Sequence, residues 1–239
     1  MSDEIILCIK KEAGARVVAL YEAGSVSMLD ALCTELSNIH AYSRQYLDKR
    51  KNGVDAEGKE LPTGDPDYWQ LLPYLIFNLR LAGTEDVLPF IYKRTKLVGE
   101  SRLVGNSSCG IGGHIAVNSG VEAGWIYVGF DAPAFTDRED FETVFRMSVD
   151  REVEEEVCGV DGGPVAGYDF DSLNDHTFIV DHSNAVGRLH LGIAYHIDVY
   201  EPVKCKEEEL ESVGHLPRDQ ILAMPNHENW TKLMFGMPL

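Results

Sequence analysis

One short run of glutamates constrains this chain more than any other feature. The stretch REVEEEV, residues 151–157, places four glutamates within five positions, between valines. On a helix of 3.6 residues per turn, Glu152, Glu155 and Glu156 project from one face, whereas Glu154 points away. The run therefore predicts three neighbouring carboxylates on a single helical face.

Apolar residues beside the glutamates indicate that this helix packs against a core. They recur every four positions, as on one side of an amphipathic helix: Phe145, Val149, Val153 and Val157. We therefore predict a long helix over 137–157, whose acidic face lies next to its buried face.

Three ionised carboxylates this close together raise one another's pKa and oppose helix formation. Two arrangements relieve the repulsion. The side chains turn outward into water, as in most glutamate-rich helices, or a divalent cation lies among them. Mg²⁺ favours oxygen ligands and is usually held by a few carboxylates together with substrate phosphates. The glutamates alone leave both interpretations open.

The charge balance of the chain excludes several classes of partner. The 239 residues include 21 Lys and Arg but 39 Asp and Glu, which gives a formal net charge of −18. Binding to long nucleic acids or to anionic membranes requires a basic surface. We therefore expect neither as a partner, and a phosphate ligand would need a cation between itself and the protein.

The cysteines and the N-terminus predict a cytoplasmic protein. The five cysteines are widely spaced and form no CxxC pair, which indicates reduced thiols rather than disulfides or a zinc site. The N-terminal apolar run is too short for a signal peptide, and no run approaches the roughly 18 apolar residues of a membrane span.

Hydrophobic patterning predicts an α/β or α+β fold with a sheet covered on both faces. Strands are predicted at 4–11, 70–79, 87–95, 176–181 and 188–200, of which the second and third form a pair. Helices are predicted at 26–50, with Ser27 as its cap, and at 219–224 and 227–235. The polar segment 51–70 is predicted to be a long loop, and 116–136 to include an inserted hairpin.

With its glycines, the acidic helix resembles the signature of the Nudix hydrolases. That signature is Gly, five residues, Glu, seven residues, then Arg-Glu-apolar-x-Glu-Glu-x-Gly-apolar. Residues 151–157 match its second half position for position, and Gly113 of GIGGHI matches its opening glycine.

The resemblance extends beyond the signature and covers roughly residues 60–200. A subfamily described as predicted Nudix-type phosphoesterases has similar stretches in the same order: DPDYWQLLPYLIF at 65–77, ESRLVGNSSCGIGGHI at 100–115 and AVGRLHLGIAYHI at 185–197. The chain is accordingly predicted to be a single Nudix-like domain, 1–239. Its N-terminal extension, 1–60, carries a strand and a helix.

Three features depart from the signature. The glycine that should follow the glutamates is displaced by one residue, because Cys158 precedes Gly159. An insertion, 116–137, separates Gly113 from the helix, and the nearest candidate for the first glutamate, Glu142, lies nine residues before Arg151 instead of eight. One position on a helix is a rotation of about 100°, so the spacing does not decide whether Glu142 replaces that glutamate.

The resemblance implies a fold, a cofactor and a reaction. The fold is an α/β/α sandwich with a mixed β-sheet. Glu152, Glu155 and Glu156 would bind Mg²⁺ or Mn²⁺, and the substrate would be a small nucleotide in which a nucleoside diphosphate is linked to another group. Either Glu155 or Glu156 would act as the general base of a pyrophosphohydrolase. Arg151 completes this set as the partner that fixes a glutamate.

Four further residues are candidates for binding the phosphates or the metal: Arg102, Gly113, His114 and His190. Arg102 lies among glycines that let the backbone approach a ligand, although a surface arginine in a turn has the same pattern. His114 follows the glycine turn and is either a phosphate contact or a packed histidine. His190 alternates with His196 and Asp198 on one strand face, which suits a second metal site, a general base or ordinary half-buried histidines.

Two other groups have a functional and a structural interpretation. Aromatic side chains that could stack on a nucleobase are more often part of the core: Tyr68, Trp69, Tyr74 and Phe77. An acidic run that could add a metal ligand is more often a solvated surface: Glu207, Glu208, Glu209 and Glu211.

Three hypotheses for function follow. The leading hypothesis is a metal-dependent hydrolase that cleaves a phosphoanhydride bond in a nucleotide. The second is a sensor that binds a nucleotide without cleaving it, and the third is an acidic mimic of nucleic acid that blocks a basic protein. A homodimer is expected because dimers are common among soluble enzymes.

Overall fold

We describe the fold from a computed structural model, which describes residues 4–24, 26–43, 65, 67–95, 104–117, 133–168 and 176–239. The chain divides into two compact units. The first comprises Met1–Leu72, His114–Ser148 and Val180–Ile193, and the second comprises Pro73–Gly113, Val149–Ile179 and Ala194–Leu239.

The first unit contains two helices and two strands of its own. They are β1 (Ile5–Lys10), α1 (Lys11–Glu22), α2 (Met28–Cys33) and β2 (Ile39–Ser43) within its described residues. Three longer elements contribute residues to both units: β3 (Tyr68–Arg80), α3 (Arg138–Glu156) and β8 (His190–Val199).

The remaining described elements belong to the second unit. Its strands are β4 (Val87–Arg94), β5 (Ser107–Ser108), β6 (Val157–Gly159), β7 (His176–Ile179), β9 (Val203–Cys205) and β10 (Leu210–His215). Its helices are α4 (Arg218–Ala223) and α5 (Asn229–Phe235).

Strand β1 is the centre of the sheet in the first unit. It pairs antiparallel with β2 and with the start of β3, so that Cys8 lies opposite His40 on one side and Gln70 on the other. Its residues Ile6–Ile9 are buried, as expected for an apolar run with strands on both sides.

The predicted helix over 26–50 is wrong between 34 and 43, and its last part, 44–50, lies outside the described residues. Ser27 does cap α2, because its hydroxyl accepts a hydrogen bond from the backbone N–H of Asp30 at 3.1 Å. The chain then changes to strand β2, which pairs with β1 and is buried from Ile39 to Tyr42. This distant pairing outweighs the helical spacing of the segment.

In the second unit, β4 lies between β3 and β10. All three are antiparallel neighbours, with Asn78 opposite Pro89 on one side and His215 opposite Phe90 on the other. The short β5 also pairs with β4, and β8 pairs with β3 and β7. Strands β6 and β9 form a separate two-stranded sheet.

Helix α3 confirms the predicted long helix. The Asp137 carboxylate accepts a hydrogen bond from the N–H of Asp140 at 3.0 Å, which satisfies a donor in the first turn. The predicted apolar ladder is buried throughout: Phe145, Val149, Val153 and Val157. Val157 begins β6, so the helix ends at the last glutamate of the run.

The other predicted elements have mixed outcomes. The strand at 4–11, the pair 70–79 and 87–95, the strands at 176–181 and 188–200, and both short C-terminal helices are confirmed. Helix α1 was not predicted. Most of the predicted loop 51–70 and of the predicted hairpin 116–136 lies outside the described residues.

The class is α/β with a large mixed sheet and few helices, as predicted from the sequence. Within the described part of the chain, none of the helices has the length and apolar character needed to cross a membrane.

Candidate functional site

The last turns of α3 carry the glutamates, and their environments differ. Glu152 is buried, with 6% of its surface exposed, although it carries an ionisable group. Glu156 is partly buried, whereas Glu154 and Glu155 are exposed. Solvent exposure therefore differs along the acidic face: Glu152 is the most buried glutamate, and Glu155 is exposed to solvent.

Gly113 allows the glycine turn to approach Glu152 very closely. A Cβ atom on Gly113 would lie 2.8 Å from Oε2 and 2.9 Å from Oε1 of Glu152, closer than real Cβ contacts. A Cβ at this position would require the tip of the Glu152 side chain to shift, which gives glycine at 113 a physical reason.

The turn itself is fixed against β3. Ile111 and Leu75 exchange backbone hydrogen bonds of 2.7 and 3.0 Å. A Cβ on Gly112 would lie 1.9 Å from the carbonyl oxygen of Pro73, so this second glycine is also required by close backbone contact.

Arg151 holds the buried carboxylate. Its Nη2 donates a hydrogen bond to Oε1 of Glu152 at 2.7 Å, and both side chains are largely shielded from solvent. Arg151 therefore contacts Glu152 directly, while its predicted roles, in fixing a glutamate and in a reaction, stay predictions.

Glu156 is the glutamate of this helix whose pKa is raised by its surroundings. Burial, and then the charges of Glu152 and Glu207, raise the pKa of Glu156 to about 8, with Arg94 acting in the opposite direction. A carboxylate in this setting has an unusually high affinity for a proton or for a cation.

The positive charge of Arg94 lowers the pKa of Glu156. Reasoning from the sequence missed this residue. Its Nε donates to Oε1 of Glu228 at 2.8 Å, and its guanidinium lies over the ring of Tyr92, 5.9 Å from the centroid. Arg94 ends an apolar strand and Glu228 precedes α5, so no local motif marks either residue.

The acidic run near the C-terminus is on the surface, as its structural interpretation predicted. All four members are exposed: Glu207, Glu208, Glu209 and Glu211. The charge of Glu207 nevertheless reaches Glu156, so the run adds to the negative potential at the end of α3.

A comparison of sequences with known proteins identifies a relative, and a comparison of structures identifies a similar fold. No protein-family model matches the chain. Protein YmaB of Bacillus subtilis (strain 168) is 28% identical over 165 residues, which are 67% of this chain and 66% of that protein, so the chain spans just under two thirds of it.

Two solved structures are similar. The crystal structure of Tm1382, provisionally assigned to the Nudix hydrolases, has a TM-score of 0.56 at 20% identity and covers 98% of this chain and 97% of that one. The fold is Nudix-like. RenU, a Nudix hydrolase from M. Smegmatis, has a TM-score of 0.37 at 14% identity over 76% of this chain and 92% of that one.

The Nudix-like fold raises the question of whether the glutamates fit a divalent ion. Across the described ranges, no group of three or more His, Cys, Asp or Glu side chains is arranged to hold a metal ion. Glu152 and Glu156 fit part of a metal site. The negative charges around Glu156 disfavour its ionisation. Mg²⁺ usually needs only one or two carboxylates besides water and substrate phosphates.

His114 and His190 lie together in the first unit. Their ring centroids are 5.8 Å apart, and Nε2 of His114 is 2.6 Å from Oε1 of Gln70. Nδ1 of His190 donates to the carbonyl oxygen of Val186 at 2.7 Å. Their assignment to phosphate or metal binding stays a prediction.

His196 and Asp198, which the sequence also offered as candidates, contact other side chains of the second unit. Nδ1 of His196 is 3.1 Å from Nδ2 of Asn78, and Asp198 forms an ion pair of 2.8 Å with Arg80. These contacts agree with the structural interpretation of that strand face.

The remaining candidates divide into three cases. The aromatic residues proposed as either stacking or core are buried: Tyr68, Trp69, Tyr74 and Phe77. Glu142 forms a hydrogen-bonded ion pair with Arg138 one turn earlier on α3. Arg102 lies outside the described residues.

Proposed function

We propose that this chain is a Nudix-type hydrolase that cleaves a phosphoanhydride bond in a nucleoside diphosphate derivative with the help of Mg²⁺ or Mn²⁺. One observation carries the proposal: Glu152 lies buried against Gly113 and shares the last turns of α3 with Glu156, whose pKa is raised to about 8. Burying carboxylates without a full set of counter-charges is costly, and a divalent cation offsets that cost.

Glu152 and Glu156, with Glu155 from the same turn, are the residues we assign to the metal. When bound, a divalent ion would neutralise diphosphate charge and lower the pKa of a water molecule. Glu152 is held in one orientation by Arg151, so its carboxylate is pre-positioned. Glu155, exposed to solvent, retains freedom to adjust to the ligand.

Of the two candidates for general base, Glu156 suits the role better than Glu155. A base works best when its pKa lies near the working pH, and burial together with the charge of Glu152 raises the pKa of Glu156 to about 8. Arg94 contributes a positive charge at the same place, which limits this increase.

A substrate panel with single substitutions tests the proposal. Nucleoside diphosphate derivatives would be assayed with Mg²⁺ and with Mn²⁺ for the wild type and for Glu152→Gln, Glu155→Gln and Glu156→Gln. We expect losses of about 100-fold or more for the buried pair and a smaller loss at 155. Glu154→Gln is the matched control, because Glu154 is exposed on the same turn. Wild-type turnover in the 152 and 156 variants would refute the assignment.

The second candidate function is a sensor that binds a nucleotide without hydrolysing it. Two observations favour it. The described residues lack a complete three-side-chain metal group, and Glu142 is already paired with Arg138. Calorimetry separates the two functions, because a sensor would bind the nucleotide saturably and the ligand would be recovered intact.

The partner we propose is a small nucleotide rather than a long nucleic acid or a membrane, since the chain carries a net charge of −18. A homodimer and a cytoplasmic location stay predictions.

A further inference from the structure

The carbonyl end of α3 is unfavourable for a run of glutamates. In any α-helix the last four carbonyl groups lack partners within the helix, and here they belong to residues 153–156. The helix dipole places partial negative charge at this end, where the glutamates already carry negative charge. The last turn contains no basic residue to offset that charge. The groups that fix this turn must therefore come from another part of the chain.

Lys206, which directly follows β9, contacts this end of the helix twice. Its backbone N–H donates to the carbonyl oxygen of Glu156 at 2.8 Å, and its Nζ donates to the carbonyl oxygen of Glu154. A lysine at a helix C-terminus both satisfies the last carbonyl groups and offsets the negative end of the dipole. The two bonded carbonyl groups lie on either side of Glu155, so Lys206 fixes the backbone of the turn that carries Glu155 and Glu156.

Lys206 is itself held by the strands of the second unit. Strand β9 pairs with β6, where Val157 lies opposite Cys205, and the bond from Lys206 to Glu156 continues this pairing by one residue into the helix. On the other side, the N–H of Cys205 donates to Oγ of Ser212 at 2.9 Å. Ser212 is part of β10, which pairs with β4. The last turn of α3 is thus connected through Lys206 to the strands of this unit.

A second lysine of the same strand provides a natural comparison. Nζ of Lys204 donates to the carbonyl oxygen of Val160 at 2.8 Å. Val160 lies beyond β6, outside the turn that carries the glutamates. Both lysines therefore make the same kind of bond to a backbone carbonyl, but only that of Lys206 is made to the last turn of α3.

The contact of Lys206 should act locally rather than on the whole fold. Its side chain is exposed, and exposed charges contribute little to global stability. The ends of helices open locally at a much lower free energy than the whole protein unfolds. A bond to the end carbonyl groups opposes this local opening, which would otherwise move the carboxylates of Glu155 and Glu156.

We propose that Lys206 is a positioning residue, which fixes the last turn of α3 so that Glu155 and Glu156 are held in place for a divalent cation. The inference rests on the proposed function, which it deepens by naming a residue that acts through backbone carbonyl groups. Groups that orient metal ligands typically change metal affinity or activity by 10- to 100-fold when they are removed. We place Lys206 at the lower end of that range because it holds the backbone rather than a carboxylate.

Hydrogen exchange of the metal-free protein tests the local effect without requiring turnover. The amides of residues 152–157 should exchange about fivefold faster in Lys206→Met than in the wild type. Lys206→Arg keeps the positive charge and the donors and should recover most of the protection. Lys204→Met is the matched control and should match the wild type in this segment. All three melting temperatures should stay within a few degrees of the wild type, so that faster exchange reports local opening.

Calorimetry with Mg²⁺ alone tests the consequence for the metal. We expect Lys206→Met to bind Mg²⁺ about tenfold more weakly than the wild type, and Lys206→Arg to stay within about threefold. Lys204→Met should bind as the wild type does. In turnover assays, Lys206→Met should need about tenfold more Mg²⁺ for half-maximal rate. Its KM for the nucleotide at saturating Mg²⁺ should stay within about twofold, because Lys206 is not assigned a contact with the substrate.

The outcomes distinguish this inference from the proposed function. Wild-type Mg²⁺ affinity or wild-type exchange in Lys206→Met overturns the positioning role, as does an equal loss of Mg²⁺ affinity in Lys204→Met or a wild type that binds no Mg²⁺. Hydrolysis that is lost in Glu156→Gln but unchanged in Lys206→Met would support the proposed function alone. Conversely, Mg²⁺ binding that depends on Lys206, without hydrolysis of any nucleotide, would support the positioning role and the sensor.

Discussion

A Cβ atom on Gly113 would lie 2.8 Å from Oε2 of Glu152, so glycine and carboxylate occupy space that no other pair of residues could share without adjustment. If the glutamate turned away, the hydrogen bond that its other oxygen accepts from Arg151 would be disturbed. This contact joins the glycine turn to the acidic helix and makes the position of Glu152 sensitive to a single methyl group.

Gly113→Ala should therefore reduce activity much more than stability. The methyl group displaces the tip of a side chain, and a displacement of about 1 Å at a reacting site costs on the order of 100-fold in rate. We expect a loss of that size in kcat/KM, with the melting temperature within a few degrees of the wild type.

Gly112→Ala is the matched comparison for that variant. Its Cβ would lie 1.9 Å from the backbone carbonyl of Pro73, which cannot move as a side chain does. We expect a loss of about 3 kcal/mol or more in the free energy of unfolding. Equal effects of the two substitutions on stability would contradict a specific role for the Gly113 contact.

The raised pKa of Glu156 predicts a pH-dependent stability. The folded protein holds a proton on Glu156 up to a pKa of about 8, whereas the ordinary value is 4.5. The folded state therefore binds more protons than the unfolded state between these values, and the free energy of unfolding falls as pH rises through that window. Below about pH 4.5 this contribution is fully present.

Glu156→Gln should remove that dependence. We expect the difference in unfolding free energy between variant and wild type to change by about 2 kcal/mol between pH 5 and pH 8.5, after allowance for solvent screening. Urea unfolding of the metal-free protein at several pH values measures it. Parallel pH profiles of the two proteins would show that Glu156 titrates normally.

The sequence predicts α3 well because its signal is local. The apolar ladder and the three glutamates lie within 13 residues, 145–157, and helical geometry alone relates them. Gly113 was predicted from its spacing in a motif, but its approach to Glu152 needs the fold. Helix α1 was missed because it follows β1 directly at Lys10, with no capping side chain to mark its start.

Features that depend on distant contacts could not be predicted in this way. Strand β2 has helical spacing in the sequence and becomes a strand only because β1, about thirty residues earlier, pairs with it. Arg94 and Glu228 are 134 residues apart and meet only in the folded second unit.

The ion pair of Arg94 and Glu228 should contribute measurably to stability. The side chains are 26% and 11% exposed, so removing one partner leaves a shielded charge without compensation. Arg94→Met leaves both Glu228 and Glu156 without their cation, and we expect a loss of roughly 3 kcal/mol in the free energy of unfolding at pH 8. The double variant Arg94→Met/Glu228→Gln should recover part of it.

Arg16 provides the control for that ion pair. Its bond to Glu35 in the first unit is 2.7 Å, against 2.8 Å for Arg94 and Glu228, but the side chains of Arg16 and Glu35 are 57% and 15% exposed. Exposed ion pairs contribute little, so Arg16→Met should leave stability unchanged within error. A loss at Arg16 as large as that at Arg94 would show that burial is not the deciding factor.

Magnesium should stabilise the folded protein through Glu152 and Glu156. An ion that binds only the folded state raises the free energy of unfolding by about 2.7 kcal/mol at a hundredfold excess over its Kd. Because a metal and a proton compete for the same carboxylate, the increase should be larger at pH 8.5 than at pH 6. Thermal unfolding with and without Mg²⁺ at the two pH values measures both effects. Glu156→Gln should lose most of the shift, whereas Glu154→Gln, changed on the exposed side of the same turn, should retain it. A shift that is independent of pH and equal in these two variants would place the ion elsewhere on this acidic chain.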